Sequence, residues 1–259
     1  MPPVPPFVKR NPGAPKGFFA CEAAGLRWLG AAQPGVPCVR VIGHDATSLT
    51  LERLDFVEPD RVSAYEFGGR LARTHDAGAA AFGAAPEGWS GSGYFGPMSS
   101  PLPMSLTEHA GWGSFYADER LAPMAERADA RLDPPTRADL ERLIVRCRRG
   151  DFDDQDRPAR LHGDLWSGNL GWTRDGVVLI DPAAHGGHRE TDLAMLALFG
   201  CPFFEAVVDG YQSQRPLRAG WRGRLGLHQL YPLLAHVVLF GSGYVKSTAA
   251  AVASALTAQ

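Results

Sequence analysis

Lysine is scarce in this chain of 259 residues. It occurs only at positions 9, 16 and 246, and all the rest of the 26 lysines and arginines are arginine. A lysine inside an apolar, strand-like run, as at Lys9, therefore stands out. Long apolar runs are missing as well; none reaches the ~20 residues that cross a bilayer, so no membrane span is expected. The first ten residues carry Lys9 and Arg10 and no apolar h-region, so no secretory signal is expected. Charge of either sign is not in excess. The formal net charge of −2 and pI near 6.4 give no footing for nucleic acid or an anionic membrane surface. The four cysteines, Cys21, Cys38, Cys147 and Cys201, lack metal-binding spacing and suggest no disulfide framework. They read as small apolar core residues in a reducing, cytoplasmic setting.

What is present is enough apolar residue, 45%, to build one large domain or two lobes with their own cores. Phe7–Arg10 reads as the end of a strand, broken by Asn11-Pro12-Gly13. Residues 17–32 read as a helix. Residues 36–43 and 48–54 are strand-like, joined by a turn at 44–47. An extended connector near 52–58 leads to an amphipathic helix over 60–77 that carries Val62, Tyr65, Leu71 and His75. The Gly/Pro/Ser-rich stretch 83–105 contains Trp89, Tyr94 and Phe95, too apolar for a free linker, and is expected to be an ordered surface loop. Helices are expected over 107–130, 134–149, 190–199, 202–214 and 221–257, the last interrupted at Gly241-Ser242-Gly243. Residues 170–173 and 177–180 form a hairpin around an Asp-Gly turn.

The most specific signal lies between Leu161 and Asp181, in Leu-His-Gly-Asp-Leu-Trp-Ser-Gly-Asn followed by the hairpin and Ile-Asp-Pro. Phosphoryl transfer asks a protein for positioning, charge neutralisation and an oriented nucleophile rather than covalent work. Asp164, in the loop before the hairpin, is free to approach a substrate hydroxyl. Asn169 and Asp181 stand at opposite ends of the hairpin and become spatial neighbours when it closes. An amide oxygen and a carboxylate are hard ligands that suit Mg²⁺. His162 reads as an anchor of the loop, and Asp192 as a support that accepts backbone N–H groups from it rather than as a catalyst.

Lys9 and Glu22 form a second pair. A lysine at a strand end followed by a helix with a glutamate is how kinases hold nucleotide phosphates. The connector, from Glu52 to Leu54, is placed to offer backbone groups to an adenine ring.

These motifs resemble the fructosamine/ketosamine kinases, a branch of the protein-kinase-like, aminoglycoside-phosphotransferase fold. The resemblance extends through Ile-Asp-Pro-Ala, through Gly-His-Arg-Glu-Thr-Asp-Leu-Ala-Met, and through Gly17-Phe18-Phe19 with Glu22. It includes Trp112 to Leu121 (Trp-x2-Phe-Tyr-x4-Arg-Leu) and Leu230 to Tyr244, so it covers almost the whole chain from residue 7. It implies an α+β, bilobal fold: a partial N-lobe over 1–55, with a small truncated sheet, and a mostly helical C-lobe over 56–259 carrying the catalytic loop and metal-binding hairpin. It also implies ATP and Mg²⁺ as cofactors and transfer to the sugar 3-hydroxyl of small-molecule or protein-linked ketosamines, after which the product decomposes and frees the amine. Asp164 resembles the catalytic base, Asn169 and Asp181 the metal ligands, Lys9 the phosphate contact and Glu22 its partner. Trp166 reads either as an apolar platform for the sugar or as a packing residue.

One departure accompanies the resemblance. Family members begin with two strands joined by a glycine-rich loop over the phosphates, and the eight residues before Lys9 leave no room for them. The expectation is a start downstream of the true one, or a shortened relative with reduced ATP affinity and turnover. Two other readings stay open: a phosphotransferase for an aminoglycoside, choline or another small alcohol, and a non-catalytic nucleotide-binding relic. Trp166 and the C-terminal Phe-Gly-Ser-Gly-Tyr speak against the first. The joint presence of Lys9, Asp164, Asn169 and Asp181 speaks against the second.

Overall fold

The computed structural model describes residues 5–257. A small antiparallel sheet opens the chain, with strands in the order β1 (Phe7–Arg10), β3 (Ser48–Leu51), β2 (Val41–His44). Lys9 lies opposite Leu49 in this register. Helix α1 (Phe18–Gly30) packs on the sheet through Phe19, Ala23 and Leu26, whose spacing keeps them on one face against Leu49 and Leu51. Glu22 shares that buried face, which puts it over the strand that carries Lys9.

The strand expected over 36–43 is shorter than its apolar pattern. Only Val41–His44 joins the sheet, with an irregularity between Val41 and Gly43. Residues 37–39 turn instead to the hairpin of β7 (Leu170–Thr173) and β8 (Gly176–Leu179). Val39 donates to the Leu179 carbonyl at 3.0 Å, and Leu179 donates to the Pro37 carbonyl at 2.8 Å. This stitch fixes the end of β8 two residues before Asp181.

Helix α2 (Arg61–Asp76) is capped by Asp60, whose side chain accepts from the N–H groups of Val62 and Ser63. Its buried face is Ala64, Phe67, Gly68, Leu71 and His75, while Val62 and Tyr65 are exposed. The reason is the close crossing of α2 and α7 (Phe204–Gln214). A Cβ on Gly68 would collide with the Val207 carbonyl, and one on Gly210 with the Tyr65 carbonyl. The two glycines let the helix backbones touch, so the contact face carries little side chain and looks weak as a pattern.

The loop expected over 83–105 contains a hairpin, β4 (Gly93–Phe95) with β5 (Leu102–Met104), which buries Phe95, Leu102 and Met104. The helix expected from 107 starts at Trp112. It runs as α3 (Trp112–Phe115), a π-helical turn (Tyr116–Leu121) and α4 (Ala122–Ala128). Helix α5 (Pro134–Arg148) follows. Two further short strands, β6 (Ala159–Leu161) and β9 (His185–Gly187), pair antiparallel and bracket the Leu161–Asp181 motif. Helices α6 (Glu190–Phe199), α8 (Trp221–Phe240) and α9 (Val245–Thr257) complete the large helical part. Its core joins Phe115, Leu121, Leu143, Leu230, Leu234 and Val252. No helix among the described residues is long and apolar enough to cross a membrane.

Candidate active site

The loop after β6 carries, at its second position, a glycine that no other residue could replace without rearrangement. Gly163 has φ +80°, and a Cβ there would strike the Ala183 carbonyl. The turn is held from behind by Asp192 in the first turn of α6. Its two carboxylate oxygens accept the N–H groups of His162 and Gly163 at 2.8 and 2.9 Å. His75 of α2 adds a third contact at 3.2 Å, its other ring nitrogen lying 2.9 Å from the Tyr211 hydroxyl. Burial alone would push Asp192 up; the hydrogen bonds from the His75 ring and the Gly163 amide help to outweigh it and hold the carboxyl below its ordinary value. His162 donates from Nε2 to the Ile180 carbonyl at 2.9 Å and accepts from the Asp164 N–H at Nδ1. The loop and the end of β8 are thereby locked together.

Asp164 is treated differently. It accepts one long side-chain hydrogen bond, 3.3 Å from Asn169 Nδ2. Burial in the cleft pushes its carboxyl up to about 7, with Asn169 opposing and the charges of Asp181 and Asp192 adding to the rise. Asn169 Nδ2 also donates to the main-chain carbonyls of Asp164, at 2.8 Å, and Asp181, at 3.3 Å. The amide nitrogen is spent on these acceptors, which leaves Oδ1 as the side chain's hard donor. Asp181 adopts a left-handed backbone, φ +54°, uncommon for a residue with a Cβ and frequent at functional sites.

From the other side of the cleft, Lys9 Nζ lies 2.7 Å from Glu22 Oε1 and 3.0 Å from Asp181 Oδ1. Burial pulls the lysine's proton affinity down, but the two carboxylates outweigh it and keep the ammonium firmly charged. The site thus holds one fixed cation and oxygen donors from Asn169 and Asp181. That donor set fits Mg²⁺, which prefers hard oxygens and one or two carboxylates.

All six of Lys9, Glu22, Asp164, Trp166, Asn169 and Asp181 line one cavity of about 430 Å³. His162 and Asp192 lie behind the loop and support it without facing the cavity. Glu52 and Leu54 do not line it either. The Glu52 side chain turns back to the Arg40 N–H at 2.8 Å, and its own N–H is committed to the Arg40 carbonyl. The Glu52 side chain and N–H are therefore committed within the protein.

The cavity has a second wall, of which the sequence reading named only Trp166. Trp166, 39% exposed, meets Phe199 edge-on at 6.5 Å. Phe199 packs on His236 at 4.8 Å, and His236 on Phe240 and Tyr244 at 5.2 and 4.8 Å. Burial lowers the His236 ring below its usual range. These groups come from the loop after β6, from α6, α8 and the turn before α9, too far apart for any local pattern. The aromatic content of Phe240-Gly-Ser-Gly-Tyr244 was the one available signal.

Comparison with known proteins gives the family and the fold. The family model described as Fructosamine kinase matches residues 4–258. A "Probable ketoamine kinase" of Synechocystis sp. is 36% identical over 243 residues, covering 92% of this chain and 78% of the relative. The crystal structure of a "putative fructosamine-3-kinase" from Thermobifida fusca superposes with a TM-score of 0.89 at 45% identity, covering 98% of this chain and 86% of that one. A choline/ethanolamine kinase family protein from Mesorhizobium loti shares the fold alone, with a TM-score of 0.59 at 14% identity over 96% and 92% of the two chains. The chain belongs to the fructosamine kinase family; it is a phosphotransferase with the α+β, protein-kinase-like fold.

Proposed function

We propose that this fructosamine kinase family member transfers the γ-phosphoryl group of ATP to the 3-hydroxyl of a ketosamine, and thereby serves deglycation. The carrying observation is the single cavity that joins Lys9, Asp164, Asn169 and Asp181 on one wall to the aromatic series from Trp166 to Tyr244 on the other. In this reading the boundary between small and large lobe falls at 55/56, and the main chain from Glu52 to Leu54 borders the purine. Lys9, oriented by Glu22, binds the phosphates as a point charge. Asn169 Oδ1 and the Asp181 carboxylate hold Mg²⁺, which when bound neutralises charge on the phosphates.

Asp164 accepts the proton of the attacking hydroxyl. The sugar oxygen forms the new P–O bond, the bond from the γ-phosphorus to the bridging oxygen breaks, and ADP leaves. A carboxyl whose proton affinity sits near neutrality is matched to that task. Asp192 and His162 position the loop. Trp166 covers the apolar face of the sugar.

The test is an ATP-dependent reaction with a fructosyl- or ribulosyl-amine, the product located by phosphorus and carbon NMR. The reading expects phosphate on the 3-oxygen. Phosphate on another hydroxyl, or none transferred while choline or an aminoglycoside is phosphorylated, would overturn it.

A further inference from the structure

A second recess shares no lining residue with the cavity that holds Lys9 and Asp164. Its volume is about 620 Å³, the larger of the two. His75 lines it and also meets Asp192 at 3.2 Å, so the recess reaches the rear of the support that holds the loop after β6. Small residues form much of its surface, among them Gly78, Ala79, Pro158 and Ala159, which opens the main chain to a ligand.

Four arginines line the recess, Arg157, Arg160, Arg189 and Arg215, against two carboxylates, Asp76 and Glu87. Two of the arginines are neutralised within the protein. Arg189 pairs with Asp156 at 2.6 Å, and Arg215 bridges Asp156 and Asp76 at 3.0 and 2.7 Å. Among the described residues Arg157, Arg160 and Glu87 form no ion pair. Arg160 rests on the Trp28 ring, 4.5 Å from its centre, and spends Nη1 and Nε on the Trp28 and Gly78 carbonyls. Its Nη2 has no partner among the described residues and is open to solvent. Burial lowers its proton affinity, with the Glu87 charge opposing. Arg157, on the same approach to β6, is exposed, and its guanidinium has no acceptor among the described residues. Two free guanidiniums therefore stand against one free carboxylate, in a recess whose other charges are balanced. A guanidinium edge is a fixed set of donors that matches the oxygens of a phosphate group.

We propose that this recess is a second binding site, which takes the phosphate group of a small phosphorylated metabolite on Arg157 and Arg160. The phosphate oxygens accept from Arg160 Nη2 and from the Arg157 guanidinium. The rest of the molecule lies along the small residues of the recess. Binding offsets the positive charge that the built-in pairs leave over, and Glu87 opposes it by like-charge repulsion.

Phosphorus NMR of inorganic phosphate, titrated with the full chain in the absence of nucleotide and magnesium, tests this apart from any activity. The expected dissociation constant is about 1 mM or below, from two charge-assisted contacts. Arg157→Gln, at an exposed position that the fold does not need, is expected to bind about tenfold more weakly. Glu87→Gln is expected to bind about threefold more tightly, and Lys9→Met to bind as the wild type does. Glucose 6-phosphate is expected to displace inorganic phosphate, and glucose is not. No change in the phosphate resonance at about 10 mM overturns the site. Unchanged affinity in Arg157→Gln overturns it too, and loss of binding in Lys9→Met places the ion in the catalytic cleft instead. Failure of glucose 6-phosphate to compete leaves free phosphate as the occupant and overturns the assignment to a phosphorylated metabolite.

Discussion

The front and rear of the loop after β6 each meet an aspartate, and the two are built in opposite ways. On the rear, Asp192 is saturated: two amides and the His75 ring donate to it, and it stays below the ordinary carboxylate range despite complete burial. On the front, Asp164 receives one long bond from Asn169 and is pushed up to about 7 by its surroundings. The same side chain stays below the ordinary carboxylate range where donors converge on it and rises above it where they do not, which suits a strut in the first place and, in the proposed reaction, a proton acceptor in the second.

The sharpest way to break this contrast is to remove the strut. Asp192→Ala leaves two loop amides and His75 without their acceptor, and is expected to cost about 4 kcal/mol in chemical denaturation. A smaller effect separates the two aspartates by pH. Between about pH 4 and 7 the unfolded chain has lost the Asp164 proton while the folded chain keeps it. Wild-type stability therefore falls as pH rises through that window, and Asp164→Asn escapes the fall. Unfolding curves of the pair at pH 4 and pH 8 are expected to diverge by about 3 kcal/mol in favour of the variant. Lys9→Met removes the cation that faces Asp181 and Glu22, and kcat/KM for ATP is expected to drop about 30-fold, or about 2 kcal/mol. The smallest effect belongs to the opposite wall. Trp166→Ala is expected to raise KM for the ketosamine about fivefold with kcat little changed, which steady-state kinetics resolves.

How much of this could be read from the chain depends on the range of the interactions. Asp164, Asn169 and Asp181 were legible because a short hairpin with an Asp-Gly turn brings them together locally. Lys9 and Glu22 were legible because a strand followed by a helix leaves few places for the pair to go. The β6–β9 pairing, the aromatic series from Phe199 to Tyr244 and the stacking of Arg160 on Trp28 all arise between segments far apart in sequence, with no period to announce them. The buried face of α2 was only partly legible, for a related reason. Val62 and Tyr65 look like core residues, but Gly68 and Gly210 bring α7 so close that the contact runs over backbone. The connector was placed by analogy, and its first residue proved to spend both side chain and N–H on Arg40.

The central claim is that Asp164 serves chemistry and not the fold. The most direct measurement is kcat of Asp164→Asn with a fructosyl-amine and saturating ATP, on protein whose unfolding midpoint at pH 8 is at least that of the wild type. The account predicts a loss of about 100-fold or more, the usual worth of a positioned proton acceptor. Turnover within about threefold of the wild type would contradict it.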